Sequence, residues 1–379
     1  MNQKPGKKAI LPLLLAAASP LAGTADAALP AAAPLARVLD EGPVDQALAL
    51  LGPGPLTVGP YRLLRELGAG GMGRVYLAES TGPVRRRVAL KVLREGLFAP
   101  EFAARFEEER RALAALEHDH VVRLFDSGQD ADGRPWLALE YVEGEPITTF
   151  CDRRGLDVEA RLRLFVEVCA AVNHMHQRGL LHRDLKPANI LVSERDGRFV
   201  PKLIDLGLAS RTGAGDAEDA VVGTPAYMAP EQLWLGTAEL DQRCDLFALG
   251  LVLRELLIGA RPARAVPLDV LRQATLRERP LPSSELRGLG GEAVEVARQR
   301  ASKPGRLARR LHGALDRIVQ RATAVPRGER QDSVAALASE VERDARRHSA
   351  WQRARVVLTV GACAAAGGFV AGVLAGMPG

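Results

Sequence analysis

Aromatic residues make up only 4% of this 379-residue chain. A core made from it must therefore be built mainly of Leu, Val and Ala. Cysteine is scarcer still. Cys151, Cys169, Cys244 and Cys363 are widely scattered and form no C-x-x-C pair, which excludes a disulfide framework and a cysteine-ligated zinc site and fits a reduced, cytosolic setting. A large excess of either charge is also missing. Lys and Arg number 51 against 46 Asp and Glu, a net charge of +5. That balance permits attraction to anionic membranes or acidic partners but does not indicate nucleic acid. The length allows one large domain or two.

What is present is concentrated in one stretch, His182-Arg183-Asp184-Leu185-Lys186-Pro187-Ala188-Asn189, with Asp205-Leu206-Gly207 after it. An Asp, a Lys two residues on and an Asn three beyond that put a carboxylate, a cation and an amide on one short loop. The apolar runs Ile190-Leu191-Val192 and Lys202-Leu203-Ile204 read as two short strands joined by a turn over 193–197. The second run delivers Asp205 to the end of the pair where Asp184 lies. Phosphoryl transfer from a metal nucleotide needs these groups: one carboxylate to orient the acceptor hydroxyl, a Lys beside the moving group, and an Asn and an Asp for metal ions.

His-Arg-Asp-Leu-x-x-x-Asn and Asp-x-Gly are protein-kinase signatures, and here the chain resembles the eukaryotic-like serine/threonine protein kinases of bacteria. The resemblance implies an α+β, bilobal fold with a small β-rich N-lobe and a large helical C-lobe. It implies ATP and Mg²⁺ as cofactors and proteins bearing Ser or Thr as substrates. Asp184, Lys186 and Asn189 become the catalytic residues, and Asn189 and Asp205 the metal ligands.

Upstream, Leu67-Gly68-Ala69-Gly70-Gly71-Met72-Gly73 precedes Arg74-Val75-Tyr76-Leu77. A lone G-x-G-x-x-G could open a dinucleotide-binding helix, but Val75, Tyr76 and Leu77 favour a strand. A strand–glycine loop–strand hairpin lets backbone N–H groups approach nucleotide phosphates. In Val88-Ala89-Leu90-Lys91-Val92-Leu93 one Lys stands among apolar neighbours. By resemblance Lys91 meets the α- and β-phosphates. Residues 101–116 read as a charged amphipathic helix, and three glutamates, Glu107 to Glu109, could each partner Lys91; the family pattern, counted back from His118, selects Glu109. Trp136 to Gly144 reads as a buried strand and a flexible turn. The resemblance makes this the hinge, with adenine bonded to the backbone near Glu140 and Val142, Leu139 behind it, and Val75, Ala89 and Leu191 sandwiching the base.

Residues 156–178 read as a long helix leading into the catalytic loop. By resemblance Arg183 grips an acidic group of the activation loop, either phosphorylated Thr212 or Ser210 or the acids Asp216, Glu218 and Asp219. Thr224 with Lys186 points to serine/threonine substrates. Asp245 should brace the catalytic loop from the central helix, and Arg330 should pair with Glu231. The Arg-rich part from Leu286 to Arg310 reads as an inserted solvated loop or a partner surface, the loop being favoured. A pseudokinase, a nucleotide-binding scaffold signalling by shape, is the alternative function.

The ends differ from this texture. Residues 1–58 are rich in Ala, Pro and Leu, and Lys4, Lys7 and Lys8 before the apolar run 9–18 outline a signal peptide. Export would separate an ATP-using enzyme from its co-substrate, so a disordered leader or an upstream start wrongly chosen is the expectation. The kinase domain is expected over 59–346 and a basic juxtamembrane segment over 347–355. From Val356 onward no residue is charged, and 356–377 reads as a single transmembrane helix. Its positive flank would keep the kinase in the cytoplasm, on the inner membrane. Ala364, Gly368, Gly372 and Gly376 share one helix face, a stripe that suits homodimer packing and that Gly/Ala composition also explains.

Overall fold

The computed structural model describes residues 56–350, apart from 71–72, 94–109, 112, 131–132, 206–224, 235–239, 260–271 and 274. The leader, Gly71, Met72, Glu107 to Glu109, the activation loop with Thr212 and Thr224, and the apolar tail therefore lie outside the described residues. No helix among those described is long and apolar enough to cross a membrane.

The first part of the chain is an antiparallel six-stranded sheet: β1 (Thr57–Val58), β2 (Tyr61–Gly70), β3 (Gly73–Ser80), β4 (Arg87–Leu93), β5 (Leu124–Gln129) and β6 (Pro135–Glu140). Their order in space is β1-β2-β3-β4-β6-β5. Strand alternation divides β4 between two faces. Val88, Leu90 and Val92 join Tyr61, Leu63, Tyr76 and Trp136 in the core of this lobe, and Ala89 and Lys91 point the other way. The hairpin β2–β3 closes at the pair Gly70↔Gly73. Gly73 has φ +149°, and a Cβ there would meet the Val92 carbonyl at 2.0 Å, so no other residue fits.

The second part is helical. After β7 (Glu145–Pro146) come α1 (Ile147–Arg153) and α2 (Val158–His176); the hairpin β8 (Ile190–Arg195) and β9 (Arg198–Leu203) follows. The turn of that hairpin is tighter than the sequence suggested. Asp196 and Gly197 both have positive φ, the geometry of a two-residue hairpin turn matched to strand twist. Then come α3 (Pro230–Trp234), α4 (Arg243–Ile258), α5 (Pro282–Gly288), α6 (Glu292–Arg298), α7 (Pro304–Leu311) and α8 (Ala314–Ala322). Residues 334–350 are helical as well. The Asp157 carboxylate caps α2 by accepting from Ala160 N at 2.8 Å. Fifteen of the sixteen α4 residues are buried, the charged Asp245, Arg254 and Glu255 among them.

The solvated loop favoured for Leu286 to Arg310 is not observed. That stretch forms α6, α7 and the end of α5, and it buries Leu286, Ala293, Ala297, Leu307, Ala308 and Leu311. Its arginines hid the helical spacing of these small apolar residues. Two arginines, one of them from this stretch and one from α2, are structural. Arg300 donates to the carbonyls of Leu257 at 2.8 Å and Glu255 at 3.1 Å, and Arg161 reaches that of Leu256 at 3.3 Å. Both guanidinium groups thus satisfy the open carbonyls at the C-terminus of α4, where the helix dipole favours cations. Burial, with Arg161 alongside, pulls Arg300 down to about 10.

Glu231 on α3 is tied to Arg330 by two bonds of 2.5 and 2.9 Å. Arg330 also donates to the carbonyls of Ala324 and Arg243, and its guanidinium lies 4.8 Å from the centroid of the Phe247 ring. Arg330→Met should lower unfolding free energy by about 3–5 kcal/mol, because it strands a buried carboxylate. Urea denaturation measures this, and a loss below about 1 kcal/mol would show that the pair is not the anchor it resembles.

Candidate active site

The loop 182–189 runs between α2 and β8, and its shape is fixed from beneath. Asp245, in the first turn of α4 and 1% exposed, accepts from the backbone N–H of His182 at 2.8 Å and of Arg183 at 2.7 Å. Its Oδ2 also lies 2.7 Å from His176 Nε2 at the end of α2. Arg183 adopts φ +63°, a left-handed conformation that a non-glycine residue holds only when its surroundings impose it. Gln232 on α3 adds a restraint, donating to the Arg183 carbonyl at 2.9 Å while accepting from Ala229 N at 2.9 Å.

Above this support the functional side chains converge. Lys186 Nζ donates to Asp184 Oδ2 at 2.7 Å. Asn189 Nδ2 donates to the same oxygen at 3.0 Å and to the Asp184 carbonyl at 2.8 Å. Ile204 N bonds the Asn189 carbonyl at 2.9 Å, which ties the residue before Asp205 to the loop that carries Asn189. Asp205 has φ +55°, and its Oδ1 pairs with Lys91 Nζ. Burial pushes this carboxyl up, but the Lys91 ammonium, with His182 and Lys186 farther off, outweighs that and holds it below the ordinary carboxylate range. The ion pair crosses the cleft between the lobes. Glu109, expected to partner Lys91, lies outside the described residues.

The nucleotide-side residues fall around the same cleft. Leu67, Gly68, Ala69 and Gly70 are exposed along the end of β2, and Gly73 opens β3. A Cβ on Gly68 or Gly70 would meet nothing within 4 Å, so their backbone faces open space. Val75, Ala89 and Leu191 are half-buried and Val142 is buried. Ala89 pairs across the sheet with Leu139, beside the hinge. Glu140 is engaged through its side chain. Its Oε2 takes a 2.7 Å bond from Lys202 Nζ on β9. Lys202 and Gln232 are contacts that the sequence motifs did not single out. Nothing in local spacing flags them, because their partners lie 49 and 62 residues away.

This donor set suits a magnesium nucleotide. Asn189 spends its Nδ2 on Asp184 and keeps Oδ1, and Asp205 keeps Oδ2. A hard cation that shares ligands with phosphates needs only one or two protein oxygens. Lys91, engaged by Asp205, and the bare glycine backbone supply the positive counterpart for phosphate.

The charge on Asp245 can be tested by pH. Burial raises its carboxyl and the bond from His176 lowers it, and the net direction is down. A depressed native value gives stability that is present above the unfolded pKa of about 3.9 and lost as pH falls through the lower native value. Asp245→Asn should therefore cost about 2–3 kcal/mol at neutral pH. In thermal melts the gap to wild type should persist down to about pH 4 and close below it. A gap independent of pH would rule out the charge as the cause.

Comparison with known proteins agrees with this geometry. The family model described as the protein kinase domain matches residues 61–287. Serine/threonine-protein kinase Pkn1 of Myxococcus xanthus is 38% identical over 254 residues, covering 65% of this chain and 36% of that protein. Serine/threonine-protein kinase PknF of Mycobacterium tuberculosis is 39% identical over 228 residues, covering 57% and 47%. The chain thus spans between a third and a half of the length of these relatives. The crystal structure of the M. tuberculosis PknI kinase domain superposes with a TM-score of 0.56 at 29% identity, over 77% of this chain and 99% of that one. With the catalytic loop, the glycine hairpin and the cleft ion pair in place, the chain belongs to the protein kinase domain family, among the eukaryotic-like serine/threonine kinases of bacteria.

Proposed function

We propose that the protein is an active serine/threonine protein kinase that passes the γ-phosphoryl group of ATP to protein hydroxyls. The observation that carries this reading is the occupancy of Asp184. Lys186 and Asn189 both donate to Oδ2, and among the described residues nothing takes Oδ1. That oxygen is free to accept the proton side of an incoming Ser or Thr hydroxyl and aim its oxygen at the phosphorus. Lys186 then stands beside the transferring group, where its charge offsets what develops on the phosphoryl oxygens. Magnesium, held by Asn189 and Asp205, would neutralise phosphate charge when bound. The transition state is loose, so positioning and electrostatics supply most of the acceleration. A scaffold without activity has no observation in its favour, since Lys91, Asp184, Lys186, Asn189 and Asp205 carry the side chains the chemistry needs and are connected among the described residues.

The membrane is part of the same reading. Residues 356–377 are uncharged and would form a helix about 33 Å long, enough for a bilayer core of about 30 Å. Arg353 and Arg355 precede them. The proposal is a single-pass tail anchor with the kinase domain on the cytoplasmic side, where ATP is available, and with the Gly368, Gly372 and Gly376 stripe offered for pairing.

Asp184→Asn should lower kcat by at least about a hundredfold with little change in KM for ATP, because it removes a contact made around the transferring group. Lys91→Met should also abolish most phosphotransfer. The assay is the purified full chain with MgATP and a generic basic protein as acceptor. Normal turnover by Asp184→Asn would sink the assignment; inactivity of wild type and variant alike, with nucleotide still bound, would favour the scaffold.

A further inference from the structure

Helix 334–350 ends against α7 and the start of α2. Arg310 on α7 bonds Glu159 at 2.7 Å and Asp344 at 2.6 Å. His348 lies 3.7 Å from Glu159 and within the electrostatic reach of Arg306. The acidic groups of this end are thereby used internally, and Glu342 is paired with Arg346 at 3.0 Å. Arg306, Arg309, Arg343 and Arg347 remain exposed, and among the described residues the carboxylates of this end pair with other groups. Arg306 stands four residues before Arg310 on α7 and Arg347 three after Asp344, the pair that joins the two helices, while Arg309 and Arg343 lie three and four residues from Arg306 and Arg347, so the four gather around the same end of the large lobe.

We infer that this arginine-lined end of the large lobe, Arg306, Arg309, Arg343 and Arg347, is a docking surface for anionic phospholipid headgroups. The inference rests on the tail-anchor reading and adds an orientation to it. Between Ala350 and Val356 the chain makes six steps, which reach about 20 Å at full extension. A domain on so short a leash cannot leave the bilayer surface, and the end it must present is the basic one. Each Lys or Arg close to an anionic leaflet strengthens attachment roughly fivefold, and the effect fades within a Debye length. Cationic residues gathered where the tail departs are therefore matched to lipid in sign and in reach.

The same geometry places the chemistry. Glu159 stands in the first turn of α2, at the basic end, and His176 in its last turn contacts Asp245 under the catalytic loop. They are 17 positions apart on α2, a rise of about 26 Å. The docked enzyme would hold Asp184 about that far from its lipid-bound end. Acceptor hydroxyls would then belong to soluble proteins or to domains standing well off the membrane rather than to segments at the lipid surface.

The test uses the full chain reconstituted in vesicles of neutral phosphatidylcholine, and in the same vesicles with phosphatidylglycerol carrying a photoreactive headgroup. Adducts mapped by mass spectrometry should fall on peptides spanning 303–310 and 343–350, at least about fivefold above those on 190–203. Arg306→Gln/Arg309→Gln/Arg343→Gln/Arg347→Gln should remove that excess, as should high salt, while flotation on neutral vesicles and kcat in solution are unchanged. Adducts spread evenly, or insensitive to the four substitutions, would overturn the docking surface and leave the anchor standing. Binding of wild type to heparin without localised adducts would assign the patch to a soluble polyanion and likewise overturn it. Failure of wild type to float on neutral vesicles would instead remove the tail anchor itself, and with it the reason for a lipid partner.

Discussion

The carboxylate of Asp245 settles a problem that the backbone of the catalytic loop creates for itself. His182 and Arg183 leave helical and strand conformations, so their N–H groups have no ladder to join, and a buried donor without a partner is costly. One anion from the fully packed helix α4 takes both. Because α4 is itself locked by Arg161 and Arg300 at its far end, the restraint is passed on to Asp184 rather than dissipated. The left-handed Arg183 is affordable only on such a support. The large lobe can thus be understood as a rigid mount for four or five polar atoms.

The small lobe must be brought to that mount, and β9 is where the two meet. Leu203 donates to the His120 carbonyl at 2.8 Å and accepts from Val122 N at 3.0 Å, so the segment before β5 adds to β9 almost as another strand. Lys202, one residue earlier, pins Glu140 at the hinge. Two residues after Leu203 comes Asp205, which meets Lys91 from the small-lobe sheet. Three consecutive interactions therefore fix hinge, interlobe joint and cleft along one short strand. A change in β9 would be felt at the adenine side and the phosphate side together. It is the backbone of His120 that makes this joint, and its Nδ1 adds a contact to the Pro201 carbonyl at 2.8 Å.

Local chemistry was legible in the sequence wherever a function needs particular side chains at short spacing. Asp184, Lys186 and Asn189 lie within six residues and could be assigned roles before any fold was known. The glycine hairpin and the alternation that puts Lys91 opposite the core follow from side-chain size and strand period. Asp245 and the Glu231–Arg330 pair were named through the family pattern and stand where it implied. The Arg-rich stretch 286–310 was misjudged because charge density masks helical periodicity when the buried residues are Ala and single Leu. Its arginines are divided between burial at Arg300 and Arg310 and exposure at Arg306 and Arg309, a distinction that composition does not carry.

Tertiary structure alone decided which long-range partners close the site. Lys202 with Glu140, Gln232 with Arg183 and Arg161 with the end of α4 join residues that are 62, 49 and 95 positions apart. No periodicity links them, and each residue type is unremarkable in its own neighbourhood. The sequence by itself determined the reactive groups, because chemistry dictates residue type. Only the packed chain decided their support, because a hydrogen bond depends on where two atoms arrive, and that is set by the summed packing of every element between them.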